Sequence, residues 1–85
     1  MMAYTVRLKP RAERDLDRLP LDVARRIWRR LLALEGEPRP LGVSKLEGSD
    51  AYRIRIGDYR VVYLVNDPDH LVEVVRVAHR REVYR

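Results

Sequence analysis

The sequence predicts an α+β fold in which a small, mostly antiparallel (mixed) sheet carries a helical hairpin on one face. Three observations favour this class. One short β pattern opens the chain, two stretches with helical spacing follow it, and three β patterns separated by turn signals fill the second half. The order is therefore β-α-α-β-β-β, and 85 residues suit one domain spanning 1–85.

The first half of the chain supplies the first strand and a short helix. Residues 3–8 (AYTVRL) alternate apolar and polar side chains, which is typical of a strand. Pro10 is compatible with the first turn of a helix, and an apolar stripe follows it at four- and three-residue spacing. The stripe consists of Ala12, Leu16 and Leu19.

The longer helix is predicted over residues 21–35 (LDVARRIWRRLLALE). Its core-facing stripe runs through Val23 or Ala24, Ile27, Leu31 and Leu34. Gly36 and the two prolines that follow stop the helix. Residues 36–49, which hold three of the four glycines, are expected to form a loop with Leu41, Val43 and Leu46 packed down.

Residues 52–65 (YRIRIGDYRVVYLV) predict a hairpin with a two-residue turn at Gly57-Asp58. Counting outward from that turn places Arg55 directly opposite Arg60. Like charges in this position destabilise a sheet, so the arrangement calls for an explanation. The apolar face of the hairpin is expected to pack on the helices, and it comprises Tyr52, Ile54, Ile56, Tyr59, Val61, Tyr63 and Val65.

The last strand is predicted over residues 71–78 (LVEVVRVA), after a turn at 66–69. Simple alternation gives Arg76 and Arg80 the same parity as Val72, Val74 and Ala78. Counting does not fix the register of this strand. If the register brings Arg76 and Arg80 beside Arg55 and Arg60, four or five guanidinium groups converge on one face, where a phosphate chain would offset their repulsion.

Composition narrows the function classes. The net charge is +5, with sixteen Arg and two Lys, which fits either a nucleic-acid partner or a general preference for Arg. The absence of cysteine excludes disulfides, a thiolate zinc site and a cysteine nucleophile. We expect no metal and no cofactor. No apolar stretch approaches membrane-spanning length, so we expect a cytoplasmic protein without a membrane partner.

Three segments resemble the RelE/ParE toxin superfamily, the toxin half of toxin–antitoxin pairs. They are YTVRLKPRAERDLDRL at 4–19, KLEGSDAYRIRIGDYRVVYLV at 45–65 and VVRVAHRREVYR at 74–85. The resemblance implies the fold predicted above and, for the RelE branch, a ribosome-dependent, metal-independent endoribonuclease. Such an mRNA interferase cuts mRNA in the ribosomal A site by attack of the 2′-OH on the adjacent phosphate. The resemblance also implies a cognate antitoxin and a hetero-oligomer with it.

The resemblance also implies which residues act. The catalytic positions fall on Arg53, Arg55, Arg60, Arg80 and Tyr84. Family members often carry lysine at the first two positions, and because arginine does not release its proton, no obvious general base remains. Further RNA contacts, to rRNA among others, are expected at Arg25, Arg26, Arg29, Arg30, Arg76, His79 and Arg81. The α-helical arginines also fit a merely solvated helix face.

Two other functions stay open at this level. A ParE-type protein shares the fold and inhibits DNA gyrase by binding, without cutting RNA. A catalytically inactive relative would only bind its antitoxin.

Overall fold

The structure is a computed structural model, and it describes residues 3–83. A strand β1 (Thr5–Leu8) leads into helices α1 (Pro10–Asp17) and α2 (Leu21–Ala33). Four strands follow, β2 (Ser44–Lys45), β3 (Ala51–Ile56), β4 (Tyr59–Asn66) and β5 (Leu71–His79), and a short helix α3 (Arg80–Val83) ends the described chain. The sheet order is β1-β5-β4-β3-β2, with β1 parallel to β5 and the other neighbours antiparallel.

The hairpin of β3 and β4 has the register that the two-residue turn predicts. Ile56 pairs with Tyr59, and Arg55 pairs with Arg60. The predicted apolar face packs against both helices in one core. Ile27 and Leu31 of α2 are fully buried there, and each contributes about 2 kcal/mol relative to an exposed position.

The parity predicted for the last strand is wrong because β5 contains a bulge. Val62 pairs with Arg76, whereas its neighbour Tyr63 pairs with Val74, so Val75 is an extra residue. The extra residue reverses the alternation. Val72 and Val74 therefore belong to the core, while Arg76 and Ala78 lie on the opposite face of the sheet.

The sequence prediction missed two elements and misplaced one side chain. The loop after α2 contributes the two-residue edge strand β2, and the chain turns into α3 after β5. Val43 packs against the core, as expected, but Leu41 is fully exposed. Two residues of strand are too short to show an alternating pattern in sequence. Among residues 3–83, no helix has the length and apolarity needed to cross a bilayer.

An arginine anchors the loop that follows α2. Arg39 Nη1 and Nη2 donate to Asp67 Oδ1 and Oδ2 (3.2 and 2.8 Å), and Arg39 Nε donates to the Tyr52 hydroxyl (2.9 Å). Tyr4 donates its hydroxyl hydrogen to Asp67 Oδ1 (2.6 Å). The bonds from Arg39 and Tyr4 lower the pKa of the Asp67 carboxyl below its ordinary value.

Tyr63 holds the same loop from inside the core. Its ring is fully buried and stacks on Tyr52 with 5.9 Å between ring centroids. Its hydroxyl donates to the Pro38 carbonyl oxygen (2.8 Å). Burial raises the pKa of Tyr63 to about 12, because the phenolate would lose its hydration.

The turn between β3 and β4 favours glycine because of its backbone conformation. Gly57 has φ +60°, in the left-handed region that side chains rarely adopt. A Cβ at this position would also lie 2.6 Å from Arg26 Nη2. The guanidinium of Arg26 therefore rests against the hairpin turn and connects α2 to the end of the sheet.

Candidate functional site

The sheet face opposite the helical pair carries arginines from three adjacent strands. In one row Arg53, Val62 and Arg76 lie side by side, and in the next row Arg55, Arg60 and Ala78 do. Directly opposed residues have Cβ atoms about 5 Å apart, and strands are about 4.8 Å apart. We call the four residues Arg53, Arg55, Arg60 and Arg76 the arginine face.

The two arginines of the directly opposed pair differ in exposure. Arg55 is exposed, whereas Arg60, on the central strand β4, is only 6% exposed. A guanidinium group stays charged even where it is partly removed from water. Arg60 is therefore a buried, partly dehydrated positive charge beside an exposed, solvated one, a combination that suits an anion placed on this face.

The side of the sheet that carries the arginine face also carries a carboxylate. Glu73 lies on the same side of β5, because it pairs with Leu64 of β4 and Arg7 of β1. Glu73 Oε2 forms an ion pair with Lys9 Nζ (3.8 Å), at the far edge of the sheet. The arrangement can bind a phosphate diester and can stabilise additional negative charge on its oxygens.

Arg80 lies at the end of the arginine face. Its backbone N–H donates to the Asp58 carbonyl oxygen (2.8 Å), which fixes the start of α3 beside the hairpin turn. Arg80 and Arg81 are exposed. Tyr84, the remaining predicted catalytic residue, lies outside the described residues.

His79 lies on the other side of the sheet from the arginine face. It pairs with Tyr59, whose ring belongs to the helix side, and the two rings meet edge to face at 5.5 Å. The His79 Nδ1 atom accepts the backbone N–H of Arg81 (3.3 Å). This geometry separates His79 from the row that contains Arg55 and Arg60.

The four arginines of α2 are exposed, as the helical spacing predicts, and are Arg25, Arg26, Arg29 and Arg30. Arg25, Arg26 and Arg29 line a shallow depression with Asp22 and Val23. Because Arg26 also contacts the hairpin turn, positive charge continues from α2 to the end of the sheet. The structure thus connects two basic regions that the sequence presents separately.

Sequence reasoning missed a cleft at the free edge of β5, beside α1. Its polar and aromatic lining comes from α1, β4 and β5, and consists of Arg11, Asp15, Arg18, Tyr59, Arg76 and His79. The cleft exists because β1 stops pairing with β5 at Leu8 and Val74, while β5 continues to His79. No spacing in the sequence signals where a parallel partner strand ends.

Comparison with known proteins identifies relatives over nearly the whole chain. The profile of the family described as "ParE toxin of type II toxin-antitoxin system, parDE" matches residues 6–84. Toxin RelE of Mycobacterium tuberculosis is 38% identical over 86 residues, covering 96% of this chain and 87% of that protein.

Solved structures give the same result. The toxin–antitoxin complex RelBE2 of Mycobacterium tuberculosis contains a chain that is similar with a TM-score of 0.84 and 32% identity, covering 94% of each chain. The archaeal RelE–RelB complex of Pyrococcus horikoshii matches with a TM-score of 0.84 and 38% identity, covering 93% of this chain and 97% of that one.

Proposed function

This chain belongs to the RelE/ParE toxin superfamily of type II toxin–antitoxin systems, and from that membership we propose that it is a ribosome-dependent mRNA endoribonuclease. The observation that carries the proposal is the arginine face. Three neighbouring strands bring Arg53, Arg55, Arg60 and Arg76 onto one side of the sheet, with Arg80 at its end.

The chemistry that this face supports is cleavage by the RNA's own 2′-hydroxyl. The 2′ oxygen forms a bond to the adjacent phosphorus, the bond from phosphorus to the 5′ oxygen breaks, and a cyclic phosphate and a 5′-hydroxyl result. The pentacoordinate transition state carries more negative charge than the diester. Arg60 and Arg80 hold its non-bridging oxygens, and Arg53 and Arg55 bind the scissile or flanking phosphates.

Charge stabilisation is the main catalytic contribution in this scheme. Guanidinium groups remain protonated and do not act as bases. The 2′-OH proton therefore passes to water, and the leaving 5′ oxygen is protonated in turn. We assign Tyr84 to stacking on a splayed base or to this second proton transfer. The scheme requires no metal ion.

The arginines of α2 suit a second contact, with ribosomal RNA. Arg25, Arg26, Arg29 and Arg30 are exposed on one helix and adjoin the hairpin turn. Phosphate contacts of this kind are salt-dependent and independent of sequence. They orient the protein so that the arginine face meets mRNA in the A site.

We also propose a cognate antitoxin as partner in a hetero-oligomer. The relatives from Mycobacterium tuberculosis and Pyrococcus horikoshii were solved as complexes with their RelB antitoxins. In this chain α2 exposes an apolar stripe, since Leu21, Trp28 and Leu32 are 66%, 39% and 51% exposed. An amphipathic antitoxin helix would cover such a stripe, and an acidic segment would neutralise the neighbouring arginines.

The decisive experiment is primer extension on mRNA bound to programmed ribosomes. Wild-type protein is expected to cut in the A-site codon. Arg60→Ala and Arg80→Ala are each expected to lower the rate at least a hundredfold, a loss typical of one preorganised transition-state donor. Arg14→Ala, on the exposed side of α1, is the matched control and should cut at the wild-type rate. Equal rates for all four proteins would refute the assignment.

A second candidate function follows from the matching family profile, which carries the ParE name. A ParE-type member would inhibit DNA gyrase by binding. A supercoiling assay beside the primer extension separates the two. Inhibited supercoiling with intact mRNA would establish the gyrase function, and neither effect would identify a catalytically inactive relative.

A further inference from the structure

The cleft at the free edge of β5 is held in shape by a hydrogen bond between β5 and α1. Beyond the last β1 contact, where the Lys9 N–H donates to the Val74 carbonyl oxygen (2.9 Å), α1 replaces β1 beside β5. Asp15 Oδ2 accepts the Val77 backbone N–H (2.9 Å) and so ties α1 to the strand. The side chain of Asp15 is only 11% exposed.

The cleft carries an excess of positive charge. Arg11, Arg18 and Arg76 line it, against the single carboxylate of Asp15. That carboxylate is already engaged, by the Val77 N–H and by Arg11 Nε at 3.3 Å. Arg18, which is exposed, adds positive charge that favours an anionic group in the cleft.

One wall of the cleft is aromatic. Tyr59 and His79 pair across β4 and β5, meet edge to face at 5.5 Å, and are both half-buried. A ring with one accessible side offers a stacking surface for a planar base. Guanidinium groups beside an aromatic wall form the combination that recognises one nucleotide of a single strand, through its phosphate and its base.

The cleft adjoins the arginine face at the end of the sheet. Tyr59 immediately precedes Arg60, and His79 immediately precedes Arg80. The Tyr59–His79 pair is next to the Arg60–Ala78 pair in the ladder. A strand of RNA that crosses the end of the sheet beside the hairpin turn therefore passes from one site to the other without leaving basic surface.

We propose that this cleft binds a nucleotide that flanks the scissile phosphate in the same single-stranded RNA. The inference rests on the proposed function, because it takes the arginine face as the place of the scissile phosphate. Arg18 supplies the charge for the flanking phosphate, and Tyr59 supplies the stacking surface for its base.

The test measures binding of a fluorescent, fully 2′-O-methylated RNA hexanucleotide, which lacks the attacking hydroxyl and stays intact. Arg18→Gln is compared with Arg14→Gln, because Arg14 on α1 and Arg18 directly after it are both exposed and only Arg18 is among the residues that line the cleft. We expect Arg18→Gln to weaken binding about fivefold more than the control. It should also reduce the salt slope by about 0.7, the value for one phosphate contact on a single strand.

The base contact is tested at Tyr59. Tyr59→Leu should weaken binding about fivefold or more, whereas Tyr59→Phe, which keeps the ring, should restore the wild-type affinity. Thermal melting of each variant shows that it is folded. Equal affinities for Arg18→Gln and Arg14→Gln would overturn the proposal, and a loss at Arg18 without one at Tyr59 would reduce the cleft to a phosphate site and overturn its nucleotide assignment.

The two proposals fail in different experiments. Cleavage of mRNA by the wild type together with equal hexanucleotide affinities would reject the cleft and keep the nuclease. Absence of cleavage together with a selective Arg18 and Tyr59 effect would reject the nuclease and keep an RNA-binding cleft.

Discussion

The buried hydroxyl of Tyr63 predicts a specific loss of stability at alkaline pH. Folding raises the pKa of Tyr63 to about 12 from an ordinary value of 10.0, because the ring is fully buried. A pKa that is raised in the folded state gives stability that is complete below the unfolded pKa and disappears as pH rises through the folded pKa. The loss therefore falls between about pH 10 and pH 12, the two pKa values.

The magnitude follows from the same shift. Two pKa units at about 1.36 kcal/mol each give about 2.7 kcal/mol in total. About half of it, roughly 1.4 kcal/mol, is lost by about pH 11, midway through the window. In a chain of this size that corresponds to a melting temperature lower by about 6–11 °C.

Urea unfolding at about pH 9 and about pH 11 measures this loss, with Tyr63→Phe as the test variant. The variant leaves the Pro38 carbonyl oxygen without the Tyr63 hydroxyl and should lose about 1–2 kcal/mol at pH 9. Between the two pH values, however, it should lose about 1.4 kcal/mol less than the wild type.

Val65→Ala, which removes no titratable group from the same strand, is the control and should follow the wild-type pH dependence. If Tyr63→Phe and the wild type lose equal stability between the two pH values, the reasoning is refuted, since the Tyr63 hydroxyl would then contribute nothing to the loss of stability at alkaline pH.

Three further predictions concern stability, each measured by urea unfolding. Gly57→Ala should cost more than Gly48→Ala, because both glycines have positive φ (60° and 71°) but only Gly57 has a side chain, that of an α2 arginine, where the Cβ would go. We expect about 1 kcal/mol for Gly48→Ala and only a few tenths of a kcal/mol more for Gly57→Ala, because the exposed Arg26 guanidinium can move aside; equal costs would contradict the contact. Asp67→Asn should reduce the loss of unfolding free energy that the protein shows as pH falls into the acid range. A carboxyl with a lowered pKa gives stability that is present above its ordinary pKa of 3.8 and is lost as pH falls through the folded value. An unchanged loss of stability in acid would show that the bond from the arginine to Asp67 contributes nothing. Arg55→Ala should raise stability by a few tenths of a kcal/mol at low salt by removing its repulsion with Arg60, and the gain should shrink in high salt; a loss of stability at low salt would disprove that repulsion.

Local sequence determined the hairpin and three of the four residues of the arginine face. A two-residue turn at Gly57-Asp58 leaves one register, and side chains alternate with period two, so Arg55 must oppose Arg60 on the face away from the core. The longer helix was also predictable from local sequence, because Ile27, Leu31 and Leu34 recur at the spacing that puts them on one buried side.

Only the tertiary structure decided where β5 contributes to each site. The bulge at Val75 sends Val72 and Val74 into the core and Arg76 to the arginine face, and nothing local in LVEVVRVA marks it. The end of β1 pairing at Leu8 opens the cleft that Arg18 and its neighbours line. Both depend on how strands distant in sequence fit against one another, because an extra residue or a missing partner is settled by packing rather than by the pattern of a single strand.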